Sequence, residues 1–406
     1  MTPAVVVLTI TLLLSLQPIT TDVYLPALPT LQRALGASLS ATQMTLSALI
    51  ICFGLGQLVV GPLADRFGRR PVLLVGMALY TLASLLCAAA QSIEALIAWR
   101  AVQGSALAAA VTCGRSIVRD LYVPAEGARV LSRALGGLGI VAMIGPITGG
   151  LLVQWFNWHA PLLVGAVFGA ATLAFLALKF EETLQRRDPH ATRPARMLRN
   201  WAEVLTSPTF RAWAALLCCT WGGLFAMLAG SSFVFINRLG TSGLAYGVII
   251  GSSSLAYIVG TLLCRRLLLR HGLLGAVKRG AWFSLAGGLG LAAFSLAGIE
   301  TVWAFIVPQW LFAIGHGIHQ PCGQAGVVGP FPEKAGTAAS LSGFAMMVTA
   351  FVVGLWLGAT LDHSVLPLTV GVAVFGIALA LVAWTLVQRD GESVARVVAV
   401  QTARAG

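Results

Sequence analysis

The sequence predicts an all-α membrane protein, with twelve transmembrane helices in two pseudo-symmetric six-helix bundles, on the strength of three observations. Of 406 residues, 58% are hydrophobic and only 10% are charged, with a mean hydropathy of +0.87. A soluble chain of this length needs far more charge to cover its surface. Apolar runs approaching the roughly 20 residues that cross a bilayer occur twelve times, at 4–24, 45–64, 72–90, 96–118, 131–153 and 161–179, then at 212–235, 247–264, 281–297, 302–323, 337–361 and 365–387. Between the two sets of six lies a polar stretch with Arg186, Arg187, Arg193, Arg196, Arg199, Pro189, Pro194 and Pro208. The division that follows is a first bundle over 1–180, a linker over 181–211 with a short surface helix around Trp201, a second bundle over 212–388 and a tail over 389–406.

A formal net charge of +12 invites a nucleic-acid reading, but the location of the basic residues argues otherwise. Of 26 Lys and Arg, only Arg33, Arg100 and Arg238 fall outside or near the outer side, and the other 23 gather on one face. That asymmetry is the positive-inside bias; it places both termini in the cytoplasm and calls for no polyanionic partner. The N-terminus has neither a basic leader nor a small-residue cleavage site, so it reads as a retained first span. Cys52, Cys87, Cys113, Cys218, Cys219, Cys264 and Cys322 lie almost entirely in apolar runs without C-x-x-C or zinc-ligand spacing, and read as packing residues. Trp155, Trp158 and Trp213 sit where interfacial anchors belong.

The loop after the second span reads G-P-L-A-D-R-F-G-R-R-P over 61–71. Gly61 permits close helix packing, Gly68 a tight turn, and Asp65 and Arg69 stand four apart. Orientation alone accounts for Arg66, Arg69 and Arg70, but not for an acid and two glycines at these spacings. The fourth span carries L-I-A-W-R-A-V-Q-G-S over 96–105, with Arg100, Gln103 and Gly104 on one helical face. An arginine within an apolar run is costly, about 2.5–3.5 kcal/mol on insertion scales, and faces a cavity or partner unless it snorkels outward. The fifth span holds G-P-I-T-G-G, with Gly145, Pro146, Gly149 and Gly150, a kink beside small packing residues. Asp22, in T-T-D-V-Y-L-P-A-L-P, is the single acid inside or beside an apolar span; the other 13 Asp and Glu fall in loops, linker or tail. Asp22 is either an interfacial residue beyond the first span or is carried into the protein by a broken helical extension.

These motifs resemble those of the major facilitator superfamily. The loop at 61–71 resembles its G-x-L-a-D-r-x-G-r-r/k signature. The Arg100 segment resembles the R-x-x-q-G motif of drug:proton antiporters, and the Gly145 segment their G-x-x-x-G-P-x-x-G-G, with Val141 in place of the first glycine. D-V-Y-L-P-A-L-P, T-Q-M-T-L-S at 42–47, R-D-L-Y after the fourth span and A-G-T-A-A-S-L at 335–341 resemble the bicyclomycin/chloramphenicol-resistance branch. The resemblance implies a major facilitator fold and a gate. Asp65 would cap the eleventh span near Gly336 and Thr337 when the transporter opens outward, and Arg69 would bridge Asp65 to Asp120. A degenerate copy of the loop at 260–272 keeps Arg265, Arg266 and Arg270 but no acid, and reads as structural.

The function expected is proton-coupled export of small amphiphilic drugs by alternating access, with Asp22 taking protons and Arg100 and Gln103 facing it, as an ion pair or across one cavity. Trp221, Phe225 and Met227 on the seventh span, and Trp310, Phe312, His316 and His319 on the tenth, are pocket candidates. The aromatic residues equally suit lipid-facing positions, and the histidines equally suit satisfied polar packing. The partners expected are a small-molecule drug or metabolite, protons and the bilayer, for a monomer with no metal, cofactor or nucleic acid, in a bacterial inner membrane. An exporter of one metabolite shares every motif; a channel and a membrane-embedded enzyme fit them less well.

Overall fold

The computed structural model describes residues 1–122, 124–361 and 364–392; of the 389–406 tail, 393–406 lie outside the described residues. The described residues contain helices and no strands. In hydrocarbon every backbone N–H and C=O must be satisfied within the segment, which only helices and closed barrels achieve. The first half comprises α1 (Pro3–Thr21), α2 (Leu28–Ala34), α3 (Leu39–Phe67), α4 (Arg69–Ala88), α5 (Ile93–Leu121), α6 (Pro124–Trp155) and α7 (His159–Lys179). The surface helix α8 (Pro194–Thr206) leads into α9 (Pro208–Ser232), α10 (Gly243–Leu296), α11 (Val302–Val328), α12 (Ala335–Thr360), α13 (Leu366–Trp384) and the short α14 (Leu386–Asp390).

Serine and threonine set where the spans begin. Thr2, Ser38, Ser92, Ser207, Ser242 and Thr301 each accept a hydrogen bond from the backbone N–H three residues on, filling one of the donors a helix start leaves open. Ten helices among the described residues are long and apolar enough to cross a membrane. The remaining crossings have physical explanations. At 1.5 Å per residue the 54 residues of α10 would extend roughly 80 Å, more than two bilayer cores. The helix turns instead at Gly272, whose φ of 66° and ψ of −172° lie where side chains rarely go, so it supplies the eighth and ninth spans. α11 is the tenth; Gln309, His316, His319, Gln320 and Gln324 lower its hydropathy.

Within the first half α5 packs on α1, α3 and α4; within the second, α9 packs on α11, α12 and α13, and α10 on α11 and α13. The halves meet along two seams, α3 against α12 and α6 against α10. The turn Leu25–Ala27 also touches α9 and α10, and Gln43 Nε2 donates to the carbonyl of Ala229 at 2.7 Å. The halves are thus closed together at the end that carries Asp22. Among the described residues, α5 and α11, flanked by the two seams, make no extensive contact with each other.

Two elements depart from unbroken α-helical spans. The first span does not run through Asp22 to Tyr24 as one α-helix: α1 ends at Thr21, a 3-10 turn follows at Leu25–Ala27, and α2 continues. Pro26 and Pro29, which donate no backbone hydrogen bond, account for the break. The seventh span ends in a π-helical stretch, Phe233–Arg238, beside which Arg238 Nε pairs with Glu300 Oε2 at 2.6 Å.

Candidate transport site

Arg100 is 1% exposed although it carries a charge. It stands two turns into α5, on the face where Gly104 lets the carbonyl of Leu49 come so near that a Cβ would strike it. That contact draws α3 against α5 and closes the pocket around the guanidinium. Its Nη1 donates to Gln103 Oε1 at 2.8 Å and to the carbonyl of Thr20 at 3.3 Å. The Tyr24 ring lies 3.8 Å from its Cζ, a cation–π contact worth about 2 kcal/mol when desolvated. A shell of neutral hydrogen bonds holds these partners. Gln103 Nε2 donates to Ser84 Oγ at 2.7 Å, the Tyr24 and Thr45 hydroxyls are 2.7 Å apart, and those of Thr20 and Tyr80 2.6 Å. Nε and Nη2 of Arg100 are buried without a hydrogen-bond partner, and among the described residues no carboxylate lies within ion-pair distance of it.

Asp22 faces elsewhere. Its N–H donates to Pro18 O at 2.7 Å, continuing the helix by one residue, and its Oδ1 accepts from Thr21 Oγ1 at 2.7 Å. Gly145 of α6 lies beside its Cβ, and the turn that follows, Leu25–Ala27, touches α10. Asp22 therefore sits at the α6–α10 seam between the halves, whereas Arg100 is enclosed within the first. The ion pair considered from the sequence is not formed in this conformation. Arg100 is met by the Thr20 backbone carbonyl and the Tyr24 ring, while Asp22, between them in the turn that ends α1, places its side chain beside α6. Gln103 contacts Arg100, as their three-residue spacing allows.

The glycines of the fifth span make the seam. A Cβ on Gly149 would strike the carbonyl of Val23, one on Gly150 the carbonyl of Gly243, and a Cβ on Gly247 the carbonyl of Pro146. The segment over 145–150 thus packs the chain just after Asp22 against α6 and α6 against α10. Among the pocket candidates, Phe225, Met227 and Phe312 are buried in helix contacts, with Phe312 against Gly223. Trp221 and Trp310 are half-buried, and Trp310 Nε1 donates to Ser252 Oγ at 2.9 Å. His316 Nδ1 is 3.0 Å from Thr220 Oγ1, with Tyr257 and Trp221 rings at 5.5 and 6.0 Å. His319 Nε2 is 3.2 Å from the carbonyl of Val277. A separate cleft of about 390 Å³, lined by Pro3, Ala4, Val7, Leu8, Thr11 and Arg133, opens at the other end of α1 from Asp22.

At the opposite end of the bundle, Arg69 is 2% exposed and joins two acids, with Asp65 Oδ1 at 2.7 Å and Asp120 Oδ2 at 2.9 Å. Gly61 lies beside Thr112 of α5, and Gly68, at φ 106°, makes the turn between α3 and α4. Arg66 donates to Thr192 Oγ1 at 2.7 Å. Lys334, the residue before α12, gives it no side-chain cap; in this conformation, closed at the Asp22 end, Asp65 pairs with Arg69, and Arg119 is the side chain beside Gly336.

Sequence reasoning missed Glu182 here. Its carboxylate accepts from the backbone N–H groups of Arg69, Arg70, Thr183 and Leu184 at 2.9–3.1 Å, capping the start of α4 from the linker. Burial opposes its ionisation, but these bonds, that from Leu184 foremost, outweigh it and hold the carboxyl below the usual range. A depressed pKa contributes stability above the ordinary glutamate range, lost as pH falls through the depressed value. Glu182→Gln is accordingly expected to free the linker, with trypsin cutting at Arg186 and Arg187 several-fold faster than in wild type at neutral pH. Unchanged cleavage would refute the cap. Arg115 of α5 was also missed: it is exposed and has no side-chain partner among the described residues.

The comparisons with known proteins agree with this architecture. A family model described as Major Facilitator Superfamily matches residues 10–354. The chain is 32% identical over 255 residues to an uncharacterized MFS-type transporter, YdgK, of Bacillus subtilis, a match that covers 62% of this chain and 63% of that protein. It is 29% identical to the chloramphenicol resistance protein of Pseudomonas aeruginosa, over 79% of this chain and 75% of that one. It is also 29% identical to multidrug resistance protein D of Escherichia coli, over 83% and 84%. Among solved structures, a D-xylose-proton symporter superposes with a TM-score of 0.74 at 14% identity, covering 96% of this chain and 99% of that one, which speaks to the fold alone. The chain belongs to the Major Facilitator Superfamily.

Proposed function

We propose that the chain is a proton-coupled multidrug efflux transporter of a bacterial inner membrane, exporting small amphiphilic compounds by alternating access, with both termini cytoplasmic. The observation that carries this reading is the placement of Asp22, a carboxylate at the seam between the halves, in the same bundle as a buried arginine that has no carboxylate partner among the described residues. The bundles over 1–180 and 212–388 would rock about their two seams as units, joined by the linker over 181–211. Asp22 would take a proton from the outer side when the seam opens and release it inward after closure. Opening would expose the Asp22 carboxylate to water and drug, with the Arg100 charge held close by in the same bundle to favour its ionised form, so that proton and drug compete for one acid. Asp65, Arg69 and Asp120 would latch the cytoplasmic side. Similarity to resistance proteins supports drugs as the cargo.

Expression in a drug-hypersensitive bacterium tests this. Chloramphenicol or a cationic dye should accumulate less than in the empty-vector control, and a protonophore should erase the difference. Equal accumulation in a broad drug panel, with export of an amino acid or sugar, would replace this reading by the metabolite exporter.

A further inference from the structure

Helix α8 takes no part in the transport cycle described above, yet its composition is sharply divided. At 100° per residue, Leu198, Trp201, Ala202 and Leu205 fall on one face of Pro194–Thr206, and Arg196, Arg199, Asn200 and Glu203 on the other. One flank is seated on the protein through Val204, which is fully buried. Of the apolar face, Trp201 is half-buried against the protein, but Leu198 is 59% exposed and Leu205 47%. In the linker before α8 and on its polar side, the side chains of Arg186, Arg187, Arg193 and Arg199 have no partner among the described residues, while Arg196 is held by Asp188 at 2.6 Å.

Position decides what covers this face. α8 ends at Thr206, and Ser207 caps α9, which enters the bilayer at Pro208. The helix therefore lies at the depth where lipid headgroups meet water. An apolar face flanked by free arginines at that depth matches an anionic leaflet, into which leucine and tryptophan insert while arginine stems reach the phosphates. A second copy of the chain would bring arginine against arginine. At its other edge α8 touches the gate region, since Glu203 pairs with Lys334 at the start of α12.

We propose that α8 is an interfacial helix that binds anionic phospholipid and, through the Glu203–Lys334 pair, passes the lipid's presence to the start of α12. This goes beyond the efflux reading and needs no cargo.

The test is hydrogen–deuterium exchange of the full chain in nanodiscs of phosphatidylcholine, alone or mixed equally with phosphatidylglycerol. Amides over 194–206 should exchange more slowly in the anionic discs, by roughly fivefold for each engaged arginine, and salt should shrink the difference. Replacing Arg186, Arg187, Arg193 and Arg199 by glutamine should abolish the lipid dependence without altering exchange in α9, which reports an intact fold. Leu198→Asn with Leu205→Asn should speed exchange in both lipids. Glu203→Gln should leave α8 protected but cut the accompanying change over 335–340. Equal exchange in the two lipids would overturn the proposal, as would protection that grows with protein concentration in detergent. A change over 335–340 that survives Glu203→Gln would overturn the coupling step. None of these readouts depends on transport, so their failure is distinct from failure of the efflux reading.

Discussion

Asp22→Asn is expected to abolish uphill drug export while leaving the protein folded and inserted. The carboxylate makes one side-chain hydrogen bond, to the neighbouring Thr21 hydroxyl, and no ion pair among the described residues, so an amide of the same shape disturbs little packing. What it removes is the exchangeable charge. One charge moved across the membrane is worth about 2.3 kcal/mol per 100 mV, which sustains a roughly fiftyfold concentration ratio of drug. That ratio should collapse to the level of passive leak in cells expressing the variant at wild-type amount. Drug exclusion equal to wild type would mean that Asp22 carries no coupling proton.

The second large effect is expected at Arg100, where stability and transport should part company. Its guanidinium is desolvated, is met by neutral groups and leaves two nitrogens without acceptors. Replacing such a charge by an apolar side chain of similar volume is often neutral or stabilising by about 1–4 kcal/mol. Arg100→Met should therefore unfold in detergent no earlier than wild type, yet lose export at least tenfold, because the nearby positive charge that favours release of the Asp22 proton is then gone. Arg100→Lys should be nearly as inactive. It keeps the charge but cannot lie flat on Tyr24 while also reaching Gln103 and Thr20. Full export by Arg100→Met would remove the arginine from the mechanism.

Much of the fold was legible because the bilayer imposes a coarse rule on sequence: a long apolar run is a span. The rule locates even the break within α10, since the basic stretch from Arg265 to Arg270 and Gly272 cannot continue a membrane helix. It fails where hydrophobicity and backbone geometry part, as in L-P-A-L-P, apolar throughout but broken by Pro26 and Pro29 into a 3-10 turn and a short helix. Arg100 and Gln103 were legible as partners from their spacing along one helix. Which residues of α1 meet Arg100 was not, because that depends on the rotation of one helix against another. Glu182 was hidden because a carboxylate in a polar linker looks like any solvated acid, and its role arises from backbone N–H groups more than a hundred residues earlier.

The most direct measurement of coupling is proton release from acid-interior everted vesicles when chloramphenicol is added. Wild type should discharge protons in step with drug uptake, with a response that saturates, and the Asp22→Asn vesicles should show none. Drug uptake by wild type with no proton movement, or an equal proton signal from Asp22→Asn, would contradict the assignment of Asp22 as the group where drug and proton exchange.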